Sequence, residues 1–214
     1  MKNISVLILG SGGHAKVLLD CLRHANHISV LGMLDNNPER VGQSIMQVPI
    51  LGHEDDILQS HSPGDVQLVN GIGFLGQDRN RENIFLKFKQ AGYQFLSVIH
   101  PTAYIGSDVL LGEGVQVMAG STIQPGCCFG NNIIVNTHTS IDHDSYIEDH
   151  VHLAPGVTSC GNVQIHLGTH VGCGATLRQG VSIGARSLIA AGAVVVHDIQ
   201  TGSKVAGVPA KNME

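Results

Sequence analysis

The stretch from Ile105 to Ile199 repeats every six residues, and its middle, residues 141–176, reads IDHDSY IEDHVH LAPGVT SCGNVQ IHLGTH VGCGAT. The first position of each unit runs from Ile105, Leu111, Val117 and Ile123 to Ile183, Ile189 and Val195. Fourteen of its sixteen residues are aliphatic, one is Phe129 and one is Ser159. The fifth position, Val109 through Ile199, is never charged and never larger than Ile. Eight units carry Gly at the fourth position. A helical period of 3.6 does not fit a repeat of six, and independent hairpins would lose register over this distance. Hexapeptide repeats mark parallel β-helices, whose short strands cannot bury a face alone and share one core by stacking. Large first and small fifth residues are expected inside. Gly and Asn are expected at corners, where positive φ is needed.

This stretch resembles the left-handed β-helix of the hexapeptide-repeat acyltransferases. The resemblance implies three units per coil, so that residues 18 apart stack and the units make about five coils. It also implies a homotrimer with active sites in the grooves between neighbouring prisms.

Ahead of the repeat, Ile4–Leu9 is a continuous apolar run, as expected of a buried parallel strand. Gly10-Ser11-Gly12-Gly13-His14-Ala15 follows, then a helical pattern through Val17, Leu18, Leu19 and Leu22, then a strand over Ile28–Leu34 ending at Asp35-Asn36-Asn37-Pro38. The spacing of Gly10, Gly12 and Ala15, with Asp35 after the second strand, matches a dinucleotide-type turn. Further elements are expected at Val48–Leu51, 54–60, Val66–Asn70, 80–91 and Phe95–Ile99. The fold expectation is a Rossmann-like α/β domain over 1–100 and a left-handed parallel β-helix over 101–214. Whatever the ligand, such glycines let backbone approach a phosphate, and the helix start after them favours an anion. A turn kept only for tight strand–helix packing is the plainer reading.

Composition narrows the class. The formal net charge of −5 gives no support to a nucleic-acid surface. No run of 18 apolar residues suggests a membrane span. Met1-Lys2-Asn3-Ile4 leads into a strand without a signal-peptide pattern, and Cys21, Cys127, Cys128, Cys160 and Cys173 form no CxxC pair, which reads as a cytoplasmic protein with reduced thiols. Several histidines of the repeat, among them His138, His143, His150, His152, His166 and His170, are spread over different unit positions, so most cannot converge on one ion and no metal is expected.

Gly10–His14, Asp35-Asn36, Gly71-Ile72-Gly73 with Arg81 downstream, the prism, and the closing Val205-Ala206-Gly207-Val208-Pro209-Ala210-Lys211 together resemble the sialic acid and bacillosamine (NeuD/PglD-like) sugar acetyltransferases over nearly the whole chain. The resemblance implies a nucleotide-sugar site in the first domain. Gly12, Gly13 and His14 would lie on the phosphate side, Asp35 and Asn36 on the base, with Gly73 and Arg81 also on the substrate.

Asn136-Thr137-His138-Thr139-Ser140-Ile141-Asp142-His143-Asp144 carries the expected chemistry. An amine attacking a thioester must lose a proton, and His suits that transfer near neutral pH. A carboxylate across the ring would orient it. His143 holds the third place in its unit, outside the inward positions. By the resemblance His143 is the general base and Asp144, where the family often has Glu, its partner; His138 is the rival base. Gly161 stacks one coil after His143, where its N–H could meet an oxyanion. His152, Cys173 and Ala191 look like acetyl-CoA contacts, the last two in one column of small residues.

These readings imply an acetyl-CoA-dependent N-acetyltransferase for a nucleotide-linked amino sugar in surface-glycan or glycoprotein biosynthesis. Because Asp35 can accept a base N–H, UDP, then dTDP or GDP, is favoured over CMP or no nucleotide. The alternative is O-acetylation of a sialic-acid-like nonulosonic acid. A β-helix binding protein without activity and a nicotinamide-dependent enzyme are the rivals from other classes.

Overall fold

The structure is a computed structural model that describes residues 3–74, 76 and 78–213. It divides into two compact units, one of residues up to Gly73 with Arg79–Val98, the other of Phe74–Asp78 with Ile99–Glu214.

The first unit is a Rossmann-like α/β layer. Its elements are β1 (Ile4–Leu9), α1 (Gly13–Leu22), β2 (Ile28–Leu34), β3 (Ser44–Ile45), β4 (Val48–Gly52), α2 (Ile57–Ser60), β5 (Gln67–Asn70) and α3 (Asn80–Gln90). The sheet runs β3-β4-β2-β1-β5, with β1 parallel to both β2 and β5. Val6, Leu7, Ile8 and Leu9 are all buried, as a strand covered on both faces requires. Gly71 closes the approach of the chain after β5, because a Cβ there would lie 2.7 Å from Ile8 Cγ2 and 2.9 Å from the Leu9 carbonyl. The expected strand over Phe95–Ile99 is broken. Only Val98–Ile99 is a strand, and Phe95 makes a lone parallel bridge to Leu68.

The second unit is the left-handed β-helix that the repeat implies. Two-residue strands stack in parallel at a register of 18, as in Thr122↔Ser140, Cys128↔Tyr146 and Ile134↔His152. One ladder joins Tyr104–Ile105 through Val194–Val195, and a second joins Leu110–Leu111 through Ser182–Ile183. The third continues from Gln116–Val117 to Lys204–Ala206 and closes on Lys211–Asn212, antiparallel. First- and fifth-position side chains fill one core, including Val117, Ile141, Leu153, Ile165, Ala175 and Val195. Fifth-position hydroxyls are buried too, and each finds a carbonyl. Ser121 Oγ donates to Asn136 O at 2.7 Å, Thr139 Oγ1 to Ala154 O at 3.1 Å and Thr169 Oγ1 to Gly184 O at 3.0 Å. A buried hydroxyl without such an acceptor would destabilise the prism.

The corners obey a sharper rule than glycine content suggests. The fourth position is left-handed in every unit from Asp108 to Gly192, whatever its residue. Asp108, Asn132, His138, Asp144, His150, Asn162 and Arg186 all have φ between 55 and 62°. Asn and Asp tolerate this conformation best among side-chain-bearing residues.

Candidate active site

In the first unit, the turn between β1 and α1 leaves Gly12 and Gly13 exposed, with open space where a Cβ would stand. No side chain caps α1, and its first turn holds no acidic residue, so its leading amides face outward. Gly73 comes to the same place, a Cβ on it lying 3.8 Å from His14 Cβ. The geometry therefore gathers Gly12, Gly13, His14 and Gly73 around a helix N-terminus suited to an anion.

Asp35 sits at the end of β2, only 8% exposed, and is already committed. Its Oδ2 accepts from Ser11 N at 2.8 Å and from the Ser11 hydroxyl, and its Oδ1 accepts from Asn37 N at 2.9 Å. Arg40 Nη1 stands 3.8 Å from Oδ2 and donates to Ser11 O and Ser11 Oγ, both at 2.9 Å. Burial alone would raise the Asp35 carboxyl pKa, but the Ser11 hydroxyl, the two amides and Arg40 together hold it below the ordinary range. Asp35, expected on the base side, here bonds back onto the glycine turn. Asn36 beside it is exposed. Arg81, expected on the substrate, is 3% exposed, and burial pulls its guanidinium down to about 9. Its Nη1 donates to Asn70 O at 3.0 Å and Ile72 O at 2.6 Å, while Asn70 Nδ2 donates to Arg81 O, so it braces the turn that carries Gly73. Ser11 and Arg40 went unnoticed in the sequence, the first inside a glycine run, the second five residues past Asp35.

In the prism, His143 projects from a corner with its side chain 52% exposed. Asp144 Oδ2 lies 2.8 Å from His143 Nδ1, and Asp142 Oδ1 accepts from His143 N at 2.9 Å. The left-handed turn at Asp144, φ 58°, lets this short side chain reach the ring. The Asp144 hydrogen bond is the main reason the imidazole pKa is raised, against slight desolvation and with help from the Asp142 charge. With Nδ1–H held by Asp144, Nε2 carries the free lone pair.

Gly161 packs against that ring. A Cβ on it would lie 2.7 Å from His143 Nε2 and 2.8 Å from Cε1. Some third-position amides are taken up by side chains, Glu113 N by Asn131 Oδ1, Asn131 N by Asp149 Oδ1 and Leu167 N by Glu148 Oε2, whereas others, such as those of Ala119 and Cys173, meet no acceptor among the described residues. No described group accepts from the Gly161 amide.

Cys173 and Ala191 lie exposed in one column with Pro155, at a different corner from His143. His152, expected on the acetyl-CoA side, is largely enclosed. It is 8% exposed, its Nδ1 donates to Phe74 O at 2.7 Å, and Asn136 Nδ2 lies 3.2 Å from its Nε2. His138 is exposed and left-handed, its ring packed on Gly120. Among the described residues no three His, Cys, Asp or Glu side chains gather as a metal site. No helix among the described residues is long and apolar enough to cross a membrane.

Residues 5–88 match the family model of the PglD N-terminal domain. The chain is 34% identical to the perosamine N-acetyltransferase of Caulobacter crescentus, whose histidine-to-asparagine mutant was solved with CoA and GDP-perosamine; the match covers 98% of this chain and 97% of that one, with a TM-score of 0.90. It is 30% identical to the acetyltransferase domain of PglB from Neisseria gonorrhoeae FA1090, covering 99% of this chain and 100% of that one, with a TM-score of 0.89. The GDP-perosamine N-acetyltransferase of Escherichia coli O157:H7 is 29% identical over 145 residues, 65% of this chain and 66% of the relative, so the chain spans just under two thirds of that curated relative.

Proposed function

The chain belongs to the PglD-like sugar acetyltransferases, and from that premise we propose that it N-acetylates an amino sugar carried on a nucleoside diphosphate, with acetyl-CoA as acyl donor. The observation that carries this reading is the His143–Asp144 pair set against Gly161. His143 Nε2 accepts the proton that the sugar amine gives up as its nitrogen bonds the thioester carbon. The raised pKa makes the ring a stronger base. The open Gly161 amide stands where the carbonyl oxygen becomes negative and stabilises it. As the carbon–sulfur bond breaks, the imidazolium returns its proton to the departing CoA sulfur.

The rest of the chain divides the binding work. Residues 1–100 would hold the nucleotide sugar, with the diphosphate at Gly12, Gly13, His14 and Gly73. Residues 101–214 would carry the transfer, with the column of Cys173 and Ala191 leaving room for an extended pantetheine. Charge supports this orientation. No Lys or Arg occurs from residue 90 to 177, whereas Arg178, Arg186, Lys204 and Lys211 follow on the last coils. These cations suit the phosphates of CoA.

His143 and the Cys173–Ala191 column occupy different corners, so a complete site needs a second copy to bring them together. We therefore read the working form as a homotrimer, about three times 22.6 kDa, acting in the cytoplasm. GDP-linked amino sugars are favoured, since perosamine N-acetyltransferases stand among the similar proteins. UDP-linked amino sugars of the bacillosamine type are the second reading, favoured by the sequence resemblance to bacillosamine acetyltransferases. Release of free CoA thiol, measured with a panel of GDP-, UDP- and dTDP-linked amino sugars, tests the proposal. Release that is sugar-independent, or that persists only with a nucleotide-free nonulosonic acid, would overturn it.

A further inference from the structure

The lock between Ser11, Asp35 and Arg40 determines which nucleobase the first unit can read. Asp35, the acceptor that a base N–H would seek, is buried. Its oxygens are occupied by the Ser11 amide, the Ser11 hydroxyl and the Asn37 amide. A base presenting donors to it would have to displace these bonds and open the glycine turn.

Arg40 is the complementary case. A guanidinium has five N–H groups, arranged as forks in one plane. Both hydrogens of Nη1 are used on Ser11 O and Ser11 Oγ, each at 2.9 Å. These bonds fix the plane of the group. The remaining fork, Nε–H with one Nη2–H, has no recorded partner among the described residues, and the side chain is 42% exposed. Arg40 also bridges the two places a nucleotide must span, since it touches Ser11 in the phosphate-side turn and stands beside Asp35 at the end of β2.

A fixed guanidinium fork matches two adjacent acceptors in one plane. Guanine offers such a pair in O6 and N7, whereas uracil separates its acceptors O2 and O4 by the N3–H donor. Resting on the reading that the first unit holds the nucleotide, we propose that Arg40 selects the base by presenting its Nε/Nη2 fork to guanine O6 and N7. The unit therefore discriminates GDP-linked from UDP-linked sugars through Arg40, with Asp35 acting only to hold Ser11 and Arg40 in place.

Calorimetric titration of the intact protein with GDP, UDP and 7-deaza-GDP tests this, repeated on Arg40→Lys, which keeps the charge and removes the fork. GDP is expected to bind roughly 10- to 100-fold tighter than UDP, the usual discrimination of a bidentate Arg–guanine pair. The 7-deaza analogue, lacking N7, is expected to lose most of that advantage. Arg40→Lys is expected to bind all three alike, with UDP unchanged. Equal binding of GDP and UDP, or of GDP and 7-deaza-GDP, to the wild type would overturn the proposal. So would an equal weakening of all three by Arg40→Lys, which would place Arg40 on the phosphates. If Arg40→Lys does not fold, the wild-type comparison of GDP with 7-deaza-GDP still decides. Failure of every diphosphate to bind would instead refute the nucleotide reading of the whole unit.

Discussion

His143 Nδ1 and Asp144 Oδ2 lie 2.8 Å apart, although they are neighbours in sequence, because the chain turns left-handed at Asp144. The pair sets a testable pH profile. A base works only when deprotonated, so kcat/KM falls as pH drops through its pKa. Asp144 raises that pKa, so the acid limb of the wild type should lie above the ordinary histidine range. Asp144→Asn removes the main cause, and its acid limb should move to lower pH, with a smaller maximal rate. A limb that stays in place would mean that another group titrates.

Removing the ring itself should cost more. His143→Ala is expected to lower kcat by roughly 10²–10⁴-fold, the usual contribution of a general base. His138→Ala should be nearly silent. The reverse order in a CoA-release assay would transfer the role to His138.

Gly161→Ala separates geometry from stability. The new Cβ would meet His143 at 2.7–2.8 Å, so the ring must swing from its place. The ring is half-exposed and can swing toward solvent at the expense of its bond to Asp144, so thermal unfolding should change little while kcat falls by at least about tenfold, as for a misplaced catalytic group. A large drop in melting temperature with kcat intact would refute the assignment.

The two units were legible in the sequence to different degrees. The prism was readable because one constraint repeats: Ile123, Ile141 and Leu177 occupy the same place coil after coil. Its corners were half-readable, since glycine signals positive φ but His138, His150 and Arg186 do not. The bonding of Asp35 was not legible, because a carboxylate after β2 has the same one-letter signature whether it faces a ligand or bends back onto Ser11. The direction of Arg81 was hidden for a similar reason. Its guanidinium turns inward to two carbonyls of its own unit, a choice fixed by packing around α3.

The Asp35 lock should also appear in acid. A carboxyl held below its ordinary pKa contributes stability above its unfolded value and loses it as pH falls through the folded one. The wild type should therefore lose part of its margin over Asp35→Asn as pH drops below about 4. Melting curves from pH 7 to pH 3 check this; parallel curves for the two proteins would show that the lock contributes no pH-dependent stability.

The corner rule makes the last prediction, at Gly156, φ 72°. A Cβ there would meet nothing closer than 3.9 Å, so any cost of substitution comes from the backbone and not from crowding. Left-handed φ costs an ordinary residue about 1–2 kcal/mol, and asparagine less because its side chain bonds locally. Asn132 and Asn162 already hold the same unit position at φ 56° and 55°. Gly156→Ala should therefore destabilise the protein by about 1–2 kcal/mol in chemical denaturation. Gly156→Asn should fall between Ala and the wild type. If Ala proves as stable as Gly, the left-handed corner is not what selects glycine at this position.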